Sequence, residues 1–301
     1  MRRLLAVVAT AAALLSGAAC ATTGEARIVV TTNILGDVVR QIVGDQATVT
    51  VLMKPGADPH SFAISAREAN TMRTADLVVY NGLGLEEGVL HHVGAAREEG
   101  VPAVEVGALI KPMQYRDGDA AGQSDPHFWT DPARMGVAVR LLAAEIVATV
   151  DGVDPAVVRA GAQAYAQQVS DLDADLAARF ATIPDRRRVL VTNHHVFGYL
   201  AERYELRVIG AVLPSGTTLA SPSASDLASL VTAIEEHRVR AIFADTAQPA
   251  RLAEVLAAEA GLDVRVVGLY SESLGEAGGE AASYLAMMRF NADAIIGGLS
   301  A

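Results

Sequence analysis

Between Asp154 and Ile183 the chain has no proline after Pro155 and no glycine after Gly161. The segment opens on D-P and ends before Pro184. Tyr165, Val169, Leu172, Leu176 and Phe180 recur every three or four residues and form one apolar stripe. A helix of this length exceeds about 35 Å at ~1.5 Å per residue. Such a strut forces the rest of the chain into two bodies, one on each side.

Both sides alternate short apolar runs with helix-period segments. In the first half Ile28–Thr31, Thr48–Met53, Leu77–Tyr80 and Ala103–Val106 read as strands. Leu35–Val43, Ser65–Arg73 and Leu85–Val93 read as helical, and Ala133–Val150 follows with Asp131 as its cap. In the second half Val189–Thr192, Val208–Val212, Ala241–Ala244 and Val264–Leu269 read as strands. The halves echo one another. T-T-N at Thr31–Asn33 matches V-T-N at Val191–Asn193, and V-L-M-K-P-G at Val51–Gly56 matches A-V-L-P-S-G at Ala211–Gly216. Ser65–Arg73 with the strand after it matches Ser225–Glu235 with R-A-I-F-A-D-T. The expected fold is α/β: two pseudo-repeated lobes with mostly parallel sheets, residues 21–153 and 184–301, joined by a rigid helix over 154–183.

Residues 1–20 read as a signal peptide. Arg2 and Arg3 precede an apolar core, Leu4 to Leu15, which is shorter than the ~20 residues that span a bilayer. Cys20 is the chain's one cysteine, so no internal disulfide can form. Its position after the signal core reads as a lipid-modified N-terminus, although Gly17 sits where a leucine is usual. Cleavage after Ala21 is the alternative and would free the protein. Removing the leader takes the formal charge from −11 to −13, because Arg2 and Arg3 are its only charged residues. That acidity argues against a nucleic-acid partner. It favours approach of cations.

Four strand-end segments carry metal-capable side chains: G-A-D-P-H at Gly56–His60, D-P-H-F-W-T-D-P at Asp125–Pro132, T-N-H-H at Thr192–His195 and Y-S-E-S at Tyr270–Ser273. In open parallel sheets ligands bind beyond the carboxyl ends of strands. His60, His127, His194 and Glu272 would then meet in the interlobe cleft, two from each lobe. Three imidazoles and one carboxylate complete a tetrahedral zinc site. A lone loop histidine is more often a surface residue than a ligand. Two D-P-H copies and a strand-end histidine in the opposite lobe tip the balance here. In each D-P-H the proline stiffens the backbone before the histidine. Asp58, Asp125 and Asp245 are candidates to support the donors, and Asp245 is also the alternative fourth donor. His195 should point away from His194 and be a supporting or surface residue. His91 and His92, at the end of Leu85–Val93, and His237 read as solvated. The glycines of Gly82–Gly84 lack a phosphate-loop pattern and read as a turn into a helix.

The segments V-V-T-T-N-I-L-G-D-V-V, G-A-D-P-H-S-F, A-D-L-V-V-Y-N-G-L-G-L-E, D-P-H-F-W-T-D-P, H-H-V-F-G-Y-L and L-Y-S-E-S-L-G, with Y-L-A-M-M-R-F-N after them, resemble the metal-receptor (cluster A-I) solute-binding proteins of bacterial zinc and manganese ABC importers. D-P-H-F-W-T-D-P-A-R-M is similar to the Azt-type zinc branch. The resemblance implies two lobes, a rigid linking helix, and metal held by His60, His127, His194 and Glu272. Glu272 stands where the family typically has aspartate. Met113–Ser124 lacks the His-rich loop of many zinc members. Manganese members usually offer two histidines and two carboxylates, so His194 favours Zn²⁺ over Mn²⁺.

The expected function is an extracytoplasmic receptor that hands Zn²⁺ to an ABC permease. It would act as a monomer, periplasmic or tethered to the membrane only through Cys20. A periplasmic metallochaperone is a further candidate partner. Metal affinity should fall as pH drops through the histidine range. The stiff strut predicts little lobe closure, with motion instead in the loops Lys54–Asp58 or Asp117–Gln123. Two rivals remain: a zinc hydrolase with Glu272 as general base, and a surface adhesin or scaffold holding a structural ion.

Overall fold

The computed structural model describes residues 25–116, 120–260 and 263–300. The expected leader at 1–20 and the expected lipid attachment at Cys20 lie outside them. The first lobe contains β1 (Arg27–Val30), α1 (Asn33–Val43), β2 (Thr48–Val51), α2 (Ala66–Arg73), β3 (Leu77–Tyr80), α3 (Leu90–Glu98), β4 (Ala103–Glu105), α4 (Val106–Leu109) and α5 (Pro132–Thr149). Then comes α6 (Pro155–Phe180). The second lobe contains β5 (Val189–Thr192), α7 (Gly198–Tyr204), β6 (Arg207–Ala211), α8 (Ala224–His237), β7 (Ala241–Asp245), α9 (Arg251–Glu259), β8 (Arg265–Leu269) and α10 (Tyr284–Ser300).

Each lobe holds one four-stranded sheet, ordered β2-β1-β3-β4 and β6-β5-β7-β8. Every strand pair is parallel. A parallel strand needs a crossover to reach its neighbour, and the helices supply it on both faces. Side chains therefore alternate between two apolar layers. Val29 and Val78 point to a cluster under α2 and α3. Val191 and Ile242 point to one under α8 and α9. Ile28, Val30, Leu77 and Val79, with Leu190 and Phe243, face inward into a single core that runs through both lobes.

α6 forms much of that shared core. Its stripe of Tyr165, Val169, Leu172, Leu176 and Phe180 is buried. It packs on α5 and α1 of the first lobe and on α10 of the second. Asp154 caps it by accepting the Ala156 N–H at 2.8 Å, and Pro155 takes a position that needs no N–H donor. Gly161 lets α6 close on α1: a Cβ there would sit 2.5 Å from the Ile42 carbonyl oxygen. Removing one large side chain from such a stripe, as in Leu172→Ala, costs about 2–5 kcal/mol.

The expected helix over Leu85–Val93 is displaced. Gly82, Leu83 and Gly84 all have positive φ and form a turn. The buried Glu86 carboxylate then folds back onto the N–H groups of Asn81 and Gly82 at 2.7 and 3.0 Å. Helix α3 starts only at Leu90. His91 and His92 consequently lie in its first turn rather than at a helix end, with His91 exposed and His92 half-buried.

Candidate metal centre

Each of the four side chains follows a strand or enters a helix, and each is held by a different local device. His60 lies in the loop after β2. Its N–H donates to Asp58 Oδ1 at 3.0 Å, which turns the backbone and aims the ring inward. His127 repeats this device, with its N–H on Asp125 Oδ1 at 2.9 Å. Its Nδ1 also lies 2.8 Å from the same oxygen. A carboxylate can only accept, so Nδ1 carries the proton and Nε2 is left as a lone-pair donor. A short turn, Phe128–Thr130, then leads into α5, capped by Asp131 as expected.

His194 follows β5, where the Thr192 hydroxyl donates to its carbonyl at 2.7 Å. Glu272 follows β8. Its N–H donates to Asp245 Oδ2 at 3.2 Å, as does that of Ser271, whose hydroxyl also bonds this oxygen. The other Asp245 oxygen accepts from the Ala247 N–H at 2.6 Å. Both oxygens of Asp245 are thus committed to shaping the loop that carries Glu272.

The four side chains converge. One donor atom from each of His60, His127, His194 and Glu272 lies within 4.8 Å of all the others. His127 Nε2 is 3.4 Å from Nε2 of both His60 and His194. Glu272 Oε1 is 3.4 Å from His127 Nε2 and 3.1 Å from His194 Nε2. None is more than 2% exposed. Among the described residues neither oxygen of Glu272 has a hydrogen-bond partner. A buried carboxylate left in that condition is costly unless a cation sits against it.

Electrostatics agree. Burial pushes the Glu272 carboxyl up to about 8, with His127 opposing and Asp245 adding to the rise. Burial, and then the neighbouring His127 and His194, push His60 down to about 2. Burial likewise drives His194 well below the usual histidine range. His127 is also penalised by burial, but Glu272 and Asp125 outweigh it and its pKa rises. Two imidazoles are therefore kept neutral beside a carboxylate that burial disfavours in its charged form. A divalent cation removes that conflict.

Several residues around the site are not among the candidates named from the sequence, although Trp129 and Asn81 stand in segments that carry the resemblance. Tyr115 places its hydroxyl 3.2 Å from His127 Nδ1. Trp129, the single tryptophan, bonds Ser271 O across the cleft at 2.8 Å. Asn81 donates to the carbonyl of Pro126, just before His127, at 3.0 Å. His195 sits half-buried with its ring 6.5 Å from that of Tyr115, and His237 is exposed at the end of α8. A cavity of about 390 Å³, lined by His60, Tyr115, Ser124, Gly216 and Thr217 among others, opens beside the four donors.

A family model described as "Zinc-uptake complex component A periplasmic" matches residues 28–298. The chain is 31% identical over 281 residues to the zinc-binding protein TroA of Treponema pallidum, covering 92% of this chain and 90% of that protein. The solved structure of periplasmic zinc binding protein TroA superposes with a TM-score of 0.85 at 29% identity, covering 92% of this chain and 99% of that one. The iron-binding protein YfeA of Yersinia pestis is 28% identical over 275 residues, covering 90% and 86%. The manganese-binding lipoprotein MntA of Bacillus subtilis is 30% identical over 278 residues, covering 90% and 89%.

Proposed function

This chain belongs to the zinc-uptake complex component A family, and from that premise we propose that it captures Zn²⁺ through His60, His127, His194 and Glu272. Membership makes it a metal-binding component of an ABC-type importer, not an enzyme. A permease and its ATPase are then its partners. The relatives are named for zinc, iron and manganese, so the choice of ion rests on this chain's own chemistry.

The observation that carries the zinc reading is the donor set: three imidazole nitrogens and a carboxylate whose two oxygens are buried without partners. A tetrahedron with bonds of about 2.0–2.1 Å has edges of about 3.3–3.4 Å. Four of the six donor separations, at 3.1–3.4 Å, lie close to that range, and the other two, from His60 to His194 and to Glu272, lie within 4.8 Å. Nitrogen-rich tetrahedral sites suit Zn²⁺, whereas Mn²⁺ prefers more oxygen donors in an octahedron. With one Glu⁻ and three neutral imidazoles the loaded site carries one positive charge, which Asp58, Asp125 and Asp245 partly offset. In this reading the protein fills every coordination position. No place is left for the activated water that a hydrolase needs.

The leader-like residues 1–20 place the protein outside the cytoplasmic membrane in this reading, with Cys20 as its lipid attachment. Among the described residues no helix is long and apolar enough to cross a membrane. The test of the ion is competitive calorimetry on chelator-stripped protein. One Zn²⁺ per chain is expected, bound more tightly than Mn²⁺. Tighter Mn²⁺ binding would reverse the assignment.

A further inference from the structure

The four donors are buried, so an ion can enter or leave only if part of the protein moves. The lobes meet in two different ways around them. Behind the site they share the apolar core and buried bonds: Asn33 Nδ2 to Ser273 Oγ at 2.7 Å, the Leu274 N–H to Asn33 Oδ1 at 3.0 Å, and the Tyr284 hydroxyl to Trp129 O at 2.9 Å. In front, beside the cavity, polar side chains make the crossing. Gly216, Thr217 and Thr218 reach three separate pieces of the first lobe. The Tyr115 hydroxyl donates to Gly216 O at 3.4 Å, Thr217 Oγ1 donates to Glu87 Oε1 at 2.9 Å, and Thr218 Oγ1 donates to Asp58 Oδ2 at 2.6 Å. Gln248 Nε2, from the loop after β7, donates to the same Asp58 oxygen at 2.7 Å. The strap lies close: a Cβ on Gly216 would meet the Tyr115 ring at 2.6 Å.

Asp58 is therefore a hub. Its Oδ1 holds the His60 N–H, and its Oδ2 gathers Ser61, Thr218 and Gln248. His60 is set apart by its supporting carboxylate. The opposite lobe also reaches the loops of other donors, through the Tyr199 hydroxyl on the Asp125 carbonyl at 2.8 Å, Trp129 on Ser271 O, and Asn33 on Ser273 and Leu274. The carboxylates of Asp125 and Asp245, however, hold His127 and the Glu272 N–H from within one lobe. The Asp58 carboxylate is itself gripped by side chains of the opposite lobe, and among the described residues the His60 Nδ1, like that of His194, has no partner.

We propose that Thr218 and Gln248 are positioning residues for the ion. Acting through Asp58, they pin the His60 loop in its binding position and so set how fast the ion is released. This rests on the reading of His60 as a ligand. Breaking the two bonds leaves all four donors in place but frees one of them to swing away. The effect should therefore fall on the off-rate more than on the on-rate. Loss of partners that orient ligands costs about 10–100-fold in affinity.

The test uses the full chain loaded with Zn²⁺, chased with excess chromophoric chelator in a stopped-flow instrument. The proteins compared are the unaltered chain, Thr218→Val, Gln248→Leu, the double variant and Thr218→Ser. Release should be about 10–100-fold faster in the double variant and intermediate in each single one. Thr218→Ser keeps the hydroxyl and should restore the slow rate. A purely structural role would lower the melting temperature of the ion-free protein, which should stay unchanged. Unaltered release in both single variants, with one ion still bound per chain, overturns the proposal and leaves the ligand reading standing. Equal acceleration by Thr218→Ser and Thr218→Val also overturns it, because the hydroxyl would then not be the cause. Failure of the unaltered chain to bind one ion would instead defeat the ligand reading.

Discussion

The two lobes share a topology but hold their halves of the metal site differently. Both sheets have the same order of parallel neighbours, and both present donors beyond the carboxyl ends of strands. In the first lobe each donor is set by a three-residue device. The aspartate of D-P-H takes the histidine N–H two residues on, at 3.0 Å for His60 and 2.9 Å for His127. In the second lobe His194 has a local bond from the Thr192 hydroxyl, but the support of Glu272 comes through the sheet. The Glu272 N–H goes to Asp245, 27 residues earlier at the end of the neighbouring strand. One lobe writes its donors as short motifs, and the other must pair β7 with β8 before its carboxylate has a place.

The largest effects should come from the donors themselves, and they test whether the lobes contribute jointly. His60→Ala and His194→Ala remove one donor from each side. Each should lower Zn²⁺ affinity by more than ~100-fold, beyond the range that supporting residues reach. Competition against a chelator of known affinity measures both. If either variant keeps near-normal affinity, one lobe holds the ion alone and the joint site is wrong.

The next effects separate local from sheet-borne support. Asp125→Asn keeps an oxygen that accepts the two His127 N–H groups but removes the negative charge behind the ring. It should cost about 10–100-fold in ion affinity and leave the melting temperature nearly unchanged, because the neutral amide makes His127 a less basic donor while the local bonds and the core are kept. Asp245→Asn turns donor hydrogens toward backbone N–H groups in a fully buried place. It should lower affinity and also cost about 1–3 kcal/mol of stability, read by urea titration of the ion-free protein. An Asp125 variant that unfolds easily, or an Asp245 variant of full stability, would erase the distinction.

The same contrast explains what could be read from the sequence. Local signals were legible. The alternation that marks β1, β3, β5 and β7, the stripe of α6 and the D-P pairs before α5 and α6 all depend on residues a few positions apart. So did the candidate donors, each named by its place after a strand or before a helix. What escaped were contacts between distant polar residues in loops. Thr218 lies 160 positions from Asp58, Gln248 lies 190 positions from it, and both resemble ordinary surface residues until the chain folds. The D-P-H pattern marks the proline as a stiffener and Asp58 and Asp125 as supports for the donors, but not the bond each aspartate accepts from the histidine N–H two residues on. The helix expected over Leu85–Val93 is displaced for a related reason: the Glu86 carboxylate is buried against Thr31, Asn81 and Gly82, and α3 begins after it.

The smallest effect tests whether the two lobes are equivalent where no donor is involved. Helix α2 precedes β3, and α8 precedes β7, at corresponding places in the repeat. Both open with a reciprocal cap. Ser65 Oγ accepts the Glu68 N–H at 3.3 Å while Glu68 takes the Ser65 N–H at 2.7 Å. Ser223 Oγ accepts the Asp226 N–H at 3.2 Å while Asp226 takes the Ser223 N–H at 2.8 Å. Ser65→Ala and Ser223→Ala should each lower the melting temperature by about 2–4 °C, and by equal amounts. The backbone N–H and hydroxyl of Ser65 hold Glu68 below its usual carboxylate range, and the hydroxyl and N–H of Ser223 do the same for Asp226. The charged form is thus favoured in the folded state. Its contribution is complete above the ordinary carboxylate range and is lost as pH falls through the lowered pKa. Melting curves at pH 7 and at strongly acid pH should therefore show the penalty of both substitutions shrinking together. A penalty that shrinks in one lobe and persists in the other would mean that the repeat conserves the fold but not the chemistry of its helix starts.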